Sequence, residues 1–256
     1  MSAEAARCSF LVLGEDSARD APVTLVALAR KFFRLVDNYY DDQHVRFEPP
    51  PAKGTTVSAA LRGNLWKSKE PRDYTKRRDL IGYIATKLLE GERAFVVYHI
   101  DGDRRWSERE TGENASKFRE FIETDVRQFI EHRLRQMGRS SGEISLSQLL
   151  LLVPYYSIEA WLFQNARAGR RLCLENASCG GAHVERFDAW EKNRMLLDDE
   201  VKPKEMVCFR SDHNQQLAGG LDVEAVYWVE RSLHATVNEL MASEPLVKAL
   251  LATRPG

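Results

Sequence analysis

The sequence predicts an α/β protein: a doubly wound, mainly parallel central sheet with a helical C-terminal addition. Three observations lead there. The short apolar runs "CSFLVL" (8–13), "AFVVYHI" (94–100) and "QLLLLV" (148–153) have the length and composition of strands buried on both faces. Segments of helical periodicity separate them, so successive strands are joined by crossovers and lie parallel. Finally, 256 residues that are 43 % hydrophobic and 29 % charged suffice for one large α/β domain with a real core. The expected division is a core over 1–165 and a mostly helical extension over 166–256 packed on it.

Taken in order, the strand at 8–13 stops at Gly14. From Pro22 to Val36 apolar residues recur at helical spacing (Val23, Val26, Ala27, Phe33, Val36), with Pro22 suited to a first turn and Asp20 at or beside the N-cap. "HVRFE" (44–48) alternates like an edge strand before the "PPP" break. Residues 52–68 read as a Gly-punctuated loop and 73–90 as a helix carrying Leu80, Ile84, Leu88 and Leu89. After the strand at 94–100, a long amphipathic helix runs through Phe118, Phe121, Ile122, Val126, Phe129, Leu134 and Met137. "GRSSGE" (138–143) breaks it. The third strand is closed by Pro154, and "SIEAWLFQ" starts the next helix. "EMVCF" (205–209) is a candidate fourth central strand. A closing helix is expected through Val226, Val229, Leu233, Val237 and Leu240.

Bulk properties exclude some classes of function. No apolar stretch approaches the roughly 20 residues that cross a bilayer, so no membrane role is expected. The hydrophobic run in "MSAEAARCSFLVLGEDS" is too short and wrongly flanked for a signal peptide, which predicts a cytoplasmic protein. Cys8, Cys173, Cys179 and Cys208 are then expected to be reduced. Cys173, Cys179 and His183 lie close together in "CLENASCGGAH", but zinc prefers a tighter first pair and four ligands, so they read as buried or loop residues. No Gly-rich phosphate loop is present, so any nucleotide-driven step falls to another protein. The net charge of −1 does not point to nucleic acid, yet the window 62–78 holds seven basic residues against two acidic ones.

Acids stand at or just beyond the carboxyl ends of three predicted strands. These are Glu15 and Asp16 in "LVLGEDS", Asp101 and Asp103 in "VYHIDGD", and Glu159 in "LLVPYYSIE". Parallel strands carry their carboxyl ends to one edge, which is where ligands bind in such sheets. Carboxylates gathered there repel unless a cation neutralises them, and an oxygen-only donor set suits Mg²⁺ or Mn²⁺. Such a cation commonly completes its shell with phosphate oxygens, which favours phosphoryl transfer or hydrolysis. Gly102 is expected to let the backbone turn so that both aspartates face one ion. Arg104 and Arg105 stand where they can meet a substrate phosphate, and His99 reads as a packed core histidine. His213 in "SDHN" (211–214) can reach this edge, but a turn is the plainer reading.

The order G-E, then a strand ending in D-x-D, then a strand and an E-A-W helix resembles the TOPRIM fold shared by topoisomerases, primases and OLD-type nucleases. "HIDGD" followed by "PYYSIEAWLFQ" is similar, more narrowly, to small bacterial TOPRIM-like proteins of the RloB kind, associated with phage defence. The resemblance covers about residues 8–165. It implies that Glu15 is the general acid/base, that Asp101 and Asp103 bind Mg²⁺, and that Glu159 is an additional carboxylate. The first motif departs from the family's E-G-x-(Thr/Ser)-(Asp/Glu): Asp16 follows Glu15, and Asp20 lies five residues on. Either can supply the second acid, Asp20 ranking slightly higher because it starts a helix.

The expectation is therefore an Mg²⁺-dependent endonuclease, the effector of an antiphage system. Glu15, Asp20, Asp101, Asp103 and Glu159 would form the metal site, and Lys67, Lys69, Arg77, Arg78, Arg104 and Arg105 would hold the nucleic-acid backbone. An ATPase or sensor encoded separately is the expected partner. The rival expectations are a non-catalytic regulatory subunit of a defence complex and a small-molecule phosphohydrolase, the latter disfavoured because its D-x-D normally closes the first strand.

Overall fold

In the computed structural model, residues 7–15, 21–102, 113–139, 146–176, 179–199, 206, 209 and 211–255 are described. Four strands, β1 (Cys8–Gly14), β2 (Val45–Glu48), β3 (Ala94–His99) and β4 (Leu149–Leu152), form one sheet in the order β2-β1-β3-β4. Every pairing is parallel. The doubly wound α/β class read from the sequence is what the chain adopts, and β2 is an edge strand as its alternation implied.

The apolar strands are continuous because both of their faces are covered. Phe10 and Val12 of β1, Phe95 and Val97 of β3, and Leu150 and Leu152 of β4 point into one core. Leu11 and Leu13, Val96 and Tyr98, and Leu151 point into the other. The first core is closed by α1 (Ala21–Val36) together with α9 (Ser211–Gly219) and α11 (Arg231–Ala242). Its centre is a stack of Phe10 on Phe95 and Phe47, with ring centroids 5.0 and 5.6 Å apart. The second core is closed by α2 (Thr56–Arg62), α3 (Tyr74–Leu88), α4 (Glu113–Phe121) and α5 (Arg127–Gln136). A π turn, Ile122–Val126, joins α4 to α5 without a break. Lys87 of α3, only 2 % exposed, ties this layer to the sheet by donating to Ser9 Oγ at 2.7 Å and Glu48 Oε1 at 2.5 Å.

The loop expected over 52–68 contains α2, which Thr55 caps by accepting from the Ser58 N–H. Only seven residues long, it is too short for periodicity to announce it. "SIEAWLFQ" forms the one-turn α6 (Glu159–Leu162), followed by α7 (Ala166–Glu175) and α8 (Gly181–Lys192). Of 205–209 only Met206 and Phe209 are described, and neither is in a strand, so the expected fourth central strand lies mostly outside the described residues. The expected closing helix is two helices, α10 (Val223–Tyr227) and α11, and α12 (Glu244–Leu251) follows them. The first break falls at Glu230, whose buried carboxylate accepts from the Ser232 and Leu233 N–H groups and caps α11.

Candidate active site

Register sets where the expected acids leave the sheet. Gly14 of β1 pairs with His99 of β3, and His99 with Leu152 of β4. Glu15 and Ile100 therefore leave adjacent strands at the same level, and Asp101 follows one residue on. The Ile100 N–H continues the ladder for one more bond, to the Leu152 carbonyl at 3.1 Å. A Cβ on Gly102 would lie 2.2 Å from the Tyr155 carbonyl oxygen and 2.4 Å from that of Pro154. The loops after β3 and β4 thus touch backbone to backbone, and this close approach is what requires glycine. The Gly102 φ is not in the left-handed region, and the expected facing of both aspartates toward one ion involves Asp103, which lies outside the described residues.

Glu15 is buried, 8 % exposed. Its Oε2 accepts from Asn64 Nδ2 at 3.0 Å and its Oε1 from Trp66 Nε1 at 3.2 Å, with Lys67 Nζ 3.9 Å away. Asn64 holds a left-handed backbone, φ 51°, a conformation that asparagine tolerates better than most residues. A buried carboxylate is costly unless it is hydrogen-bonded, and these donors meet that cost. Neither Asn64 nor Trp66 follows from the acidic motifs; the Gly63-Asn64 pair was the sequence's only hint, as a turn signal. Tyr98, fully buried nearby, has its phenol held well above the usual range by burial and then by the Glu15 charge.

Asp101 stands two residues beyond the end of β3. Its Oδ1 is 3.8 Å from His99 Nε2, and its carbonyl accepts from Asn114 Nδ2, in the first turn of α4, at 2.9 Å. His99 is buried as expected and also faces this carboxylate. Glu159 starts α6, where its Oε1 accepts from Asn214 Nδ2 of α9 at 3.2 Å. The segment read as a turn at 211–214 is thus the first turn of a helix, and it brings Asn214 to an expected site residue. His213 packs edge-on against Phe209.

Asp16, Asp20, Asp103, Arg104 and Arg105 lie outside the described residues. Among the described residues, Glu15, Asp101 and Glu159 do not form a three-carboxylate cluster; the one group of three or more ligating side chains gathered for a shared ion is Cys173, Cys179 and His183. Most of the basic window is exposed, including Lys67, Lys69 and Arg78. Arg77 is used differently: its guanidinium forks onto Asp125 with two 2.9 Å bonds and donates to the Trp66 carbonyl. Burial opposes the charge on Asp125, but the Arg77 guanidinium, the Thr124 hydroxyl and a backbone N–H together hold the carboxyl below its usual range. Trp66, Lys67, Lys69, Tyr74, Arg77 and Lys117 help line a groove of about 1150 Å³.

In shape the chain is similar to the C-terminal region of the Burkholderia pseudomallei OLD protein, with a TM-score of 0.46 and 15 % identity over 96 % of this chain and 98 % of that one. No family model matches the chain, and no curated protein sequence matches it. What the site can do therefore rests on its own residues. No helix among the described residues is long and apolar enough to cross a membrane.

Proposed function

We propose that the chain is an Mg²⁺-dependent nuclease of the TOPRIM-like kind, with its site at the carboxyl edge of the sheet. The observation that carries the reading is the Gly14–His99 register, which brings the acids after β1 and β3 out of adjacent strands at one edge. The donors there are carboxylate oxygens, which fit a hard cation, and Mg²⁺ is commonly held by one or two carboxylates plus waters. Asp101 would hold it, with Asp103, Asp20 and Glu159 as the further carboxylates. When bound, the ion would supply a polarised phosphate and an activated water.

The chain's own residues divide the remaining work. Glu15, buried and oriented by Asn64 and Trp66, would take and return the proton. Asn114 and Asn214 fix the Asp101 loop and Glu159. Lys67, Lys69 and Arg78, with Arg104 and Arg105, meet the nucleic-acid backbone in a salt-dependent way. The same reading makes 1–165 the catalytic core and 166–256 its helical extension. It also places the protein in the cytoplasm as an antiphage effector answering to a separately encoded ATPase or sensor.

Cleavage of plasmid DNA and transfer RNA, with Mg²⁺, Mn²⁺ or EDTA, tests the proposal. Glu15→Gln and Asp101→Asn should each lower metal-dependent cleavage by roughly 10²–10⁴-fold with the circular dichroism spectrum unchanged. Undiminished cleavage by either purified variant refutes the assignment. One observation favours a second reading, a non-catalytic regulatory subunit: Glu15 already has two donors and a nearby ammonium. Calorimetry separates the two, because such a subunit shows no Mg²⁺ binding that depends on Asp101.

A further inference from the structure

Away from the sheet edge, α7 and α8 form a tight hairpin whose connection carries two cysteines and a histidine. The helices approach so closely that a Cβ on Gly169 would lie 2.4 Å from the Phe187 ring. An ion pair between Arg170 and Asp188 clips the same two helices together. Cys173, in the last turn of α7, is 1 % exposed. Cys179 precedes α8 and donates its N–H to the Asn176 carbonyl at 2.9 Å, and His183 lies in the first turn of α8. Their ligand atoms, two Sγ and one imidazole nitrogen, all lie within 4.8 Å of one another.

The two sulfurs are joined in the structure as a disulfide. A disulfide, however, makes no use of a third donor, and a third donor is present. His183 Nδ1 stands 3.8 Å from Cys179 Sγ. With Zn–S near 2.3 Å and Zn–N near 2.1 Å, the sulfur–nitrogen edge of a tetrahedral zinc site is about 3.6 Å. Two thiolates and an imidazole are the donor set of zinc among the common divalent ions, and not that of Mg²⁺.

We propose that Cys173, Cys179 and His183 are three ligands of a structural Zn²⁺ site that staples the α7–α8 hairpin, the two cysteines being thiolates in the metal-bound protein. The site is independent of the sheet-edge carboxylates. Its neighbour through Phe187 is the cluster of Phe163, Trp190 and Phe209, which holds the hairpin against the chain leading into α9. That packing and the Arg170–Asp188 pair remain when a ligand is removed, so ligand variants retain their fold.

The full chain, purified under reducing conditions and stripped with chelator, is incubated with Zn²⁺, desalted and assayed for metal by mass spectrometry. Wild type should retain about one zinc per chain. Cys173→Ser, Cys179→Ser and His183→Gln should retain less than a fifth of that, while His183→Cys, which restores a ligand, recovers it. In denaturant with chelator but no reductant, the zinc form yields all four thiols of the sequence to a thiol reagent. Negligible zinc in the wild type, or full zinc in His183→Gln, overturns the proposal. So does protection of two of the thiols in zinc-loaded protein, which would show a disulfide in place of the metal.

Discussion

At the scale of single residues, Glu15 and Gly102 show two ways in which this fold constrains its own edge. Glu15 is held by groups 49 and 51 residues further along the chain, so no local motif announces its surroundings. Gly102 is held by carbonyl oxygens of the next loop. A methyl group there cannot be accommodated by a side-chain rotation, because backbone stands in its way. Gly102→Ala should lower the thermal midpoint by roughly 4–8 °C, equivalent to about 2 kcal/mol, and depress any metal-dependent activity with it. Calorimetric scans of the two proteins check this. Asp37 gives a pH prediction. The Arg254 guanidinium, forked onto it with bonds of 2.7–3.2 Å, holds its carboxyl below the usual range. A carboxyl whose pKa is depressed on folding stabilises the fold above its unfolded value and stops doing so as pH falls through the folded value. Wild-type melting temperature should therefore drop steeply below about pH 4. Asp37→Asn should melt lower at pH 7 and show less of that acid-dependent loss.

At the scale of elements, the parts that could be read from the sequence are those whose pattern reflects burial. Strands buried on both faces announce themselves as unbroken runs, and α1 and α3 as amphipathic ones, which is why β1, β3 and β4 fall within a residue or so of the expected bounds. The closing helix shows what pattern cannot give. Its apolar residues keep helical spacing across a break, because α10 and α11 pack into the same core. The break is set by Glu230, an uncommon capping residue that no simple start signal identifies. Glu230 is fully buried and also accepts from Ser232 Oγ, which in turn accepts from Trp161 Nε1 at 2.9 Å. Glu230→Ala should cost roughly 2–3 kcal/mol by stranding these donors, measured by urea unfolding at neutral pH. An unchanged midpoint would show that α11 does not depend on the cap. In the candidate site, the carboxylates could be read because D-x-D and E-A-W are local. Asn64, Asn114 and Asn214 could not, since each reaches its partner only through the fold.

At the scale of the whole molecule, two cores back to back make the sheet a shared wall, and the groups that cross between layers matter more than their number suggests. Lys87 is one of them. Lys87→Met leaves Glu48 and Ser9 without the ammonium that satisfies them, and should cost about 3 kcal/mol, or roughly 6–12 °C in melting temperature. The π turn at Ile122–Val126 is another feature of this kind. Phe118, Ile122, Val126, Ile130 and Leu134, all buried, follow one another at steps of four. In an unbroken α-helix each such step overshoots a full turn by about 40°, so the last would stand roughly 160° round from the first. A wider turn in the middle absorbs one residue and swings Ile130 and Leu134 back under the wall. This rod therefore keeps its count as strictly as a thread keeps its pitch. Replacing the exposed Glu123 with alanine should barely be felt, whereas inserting a further residue beside it would turn every downstream side chain by about 100° and expose the far end of the second core.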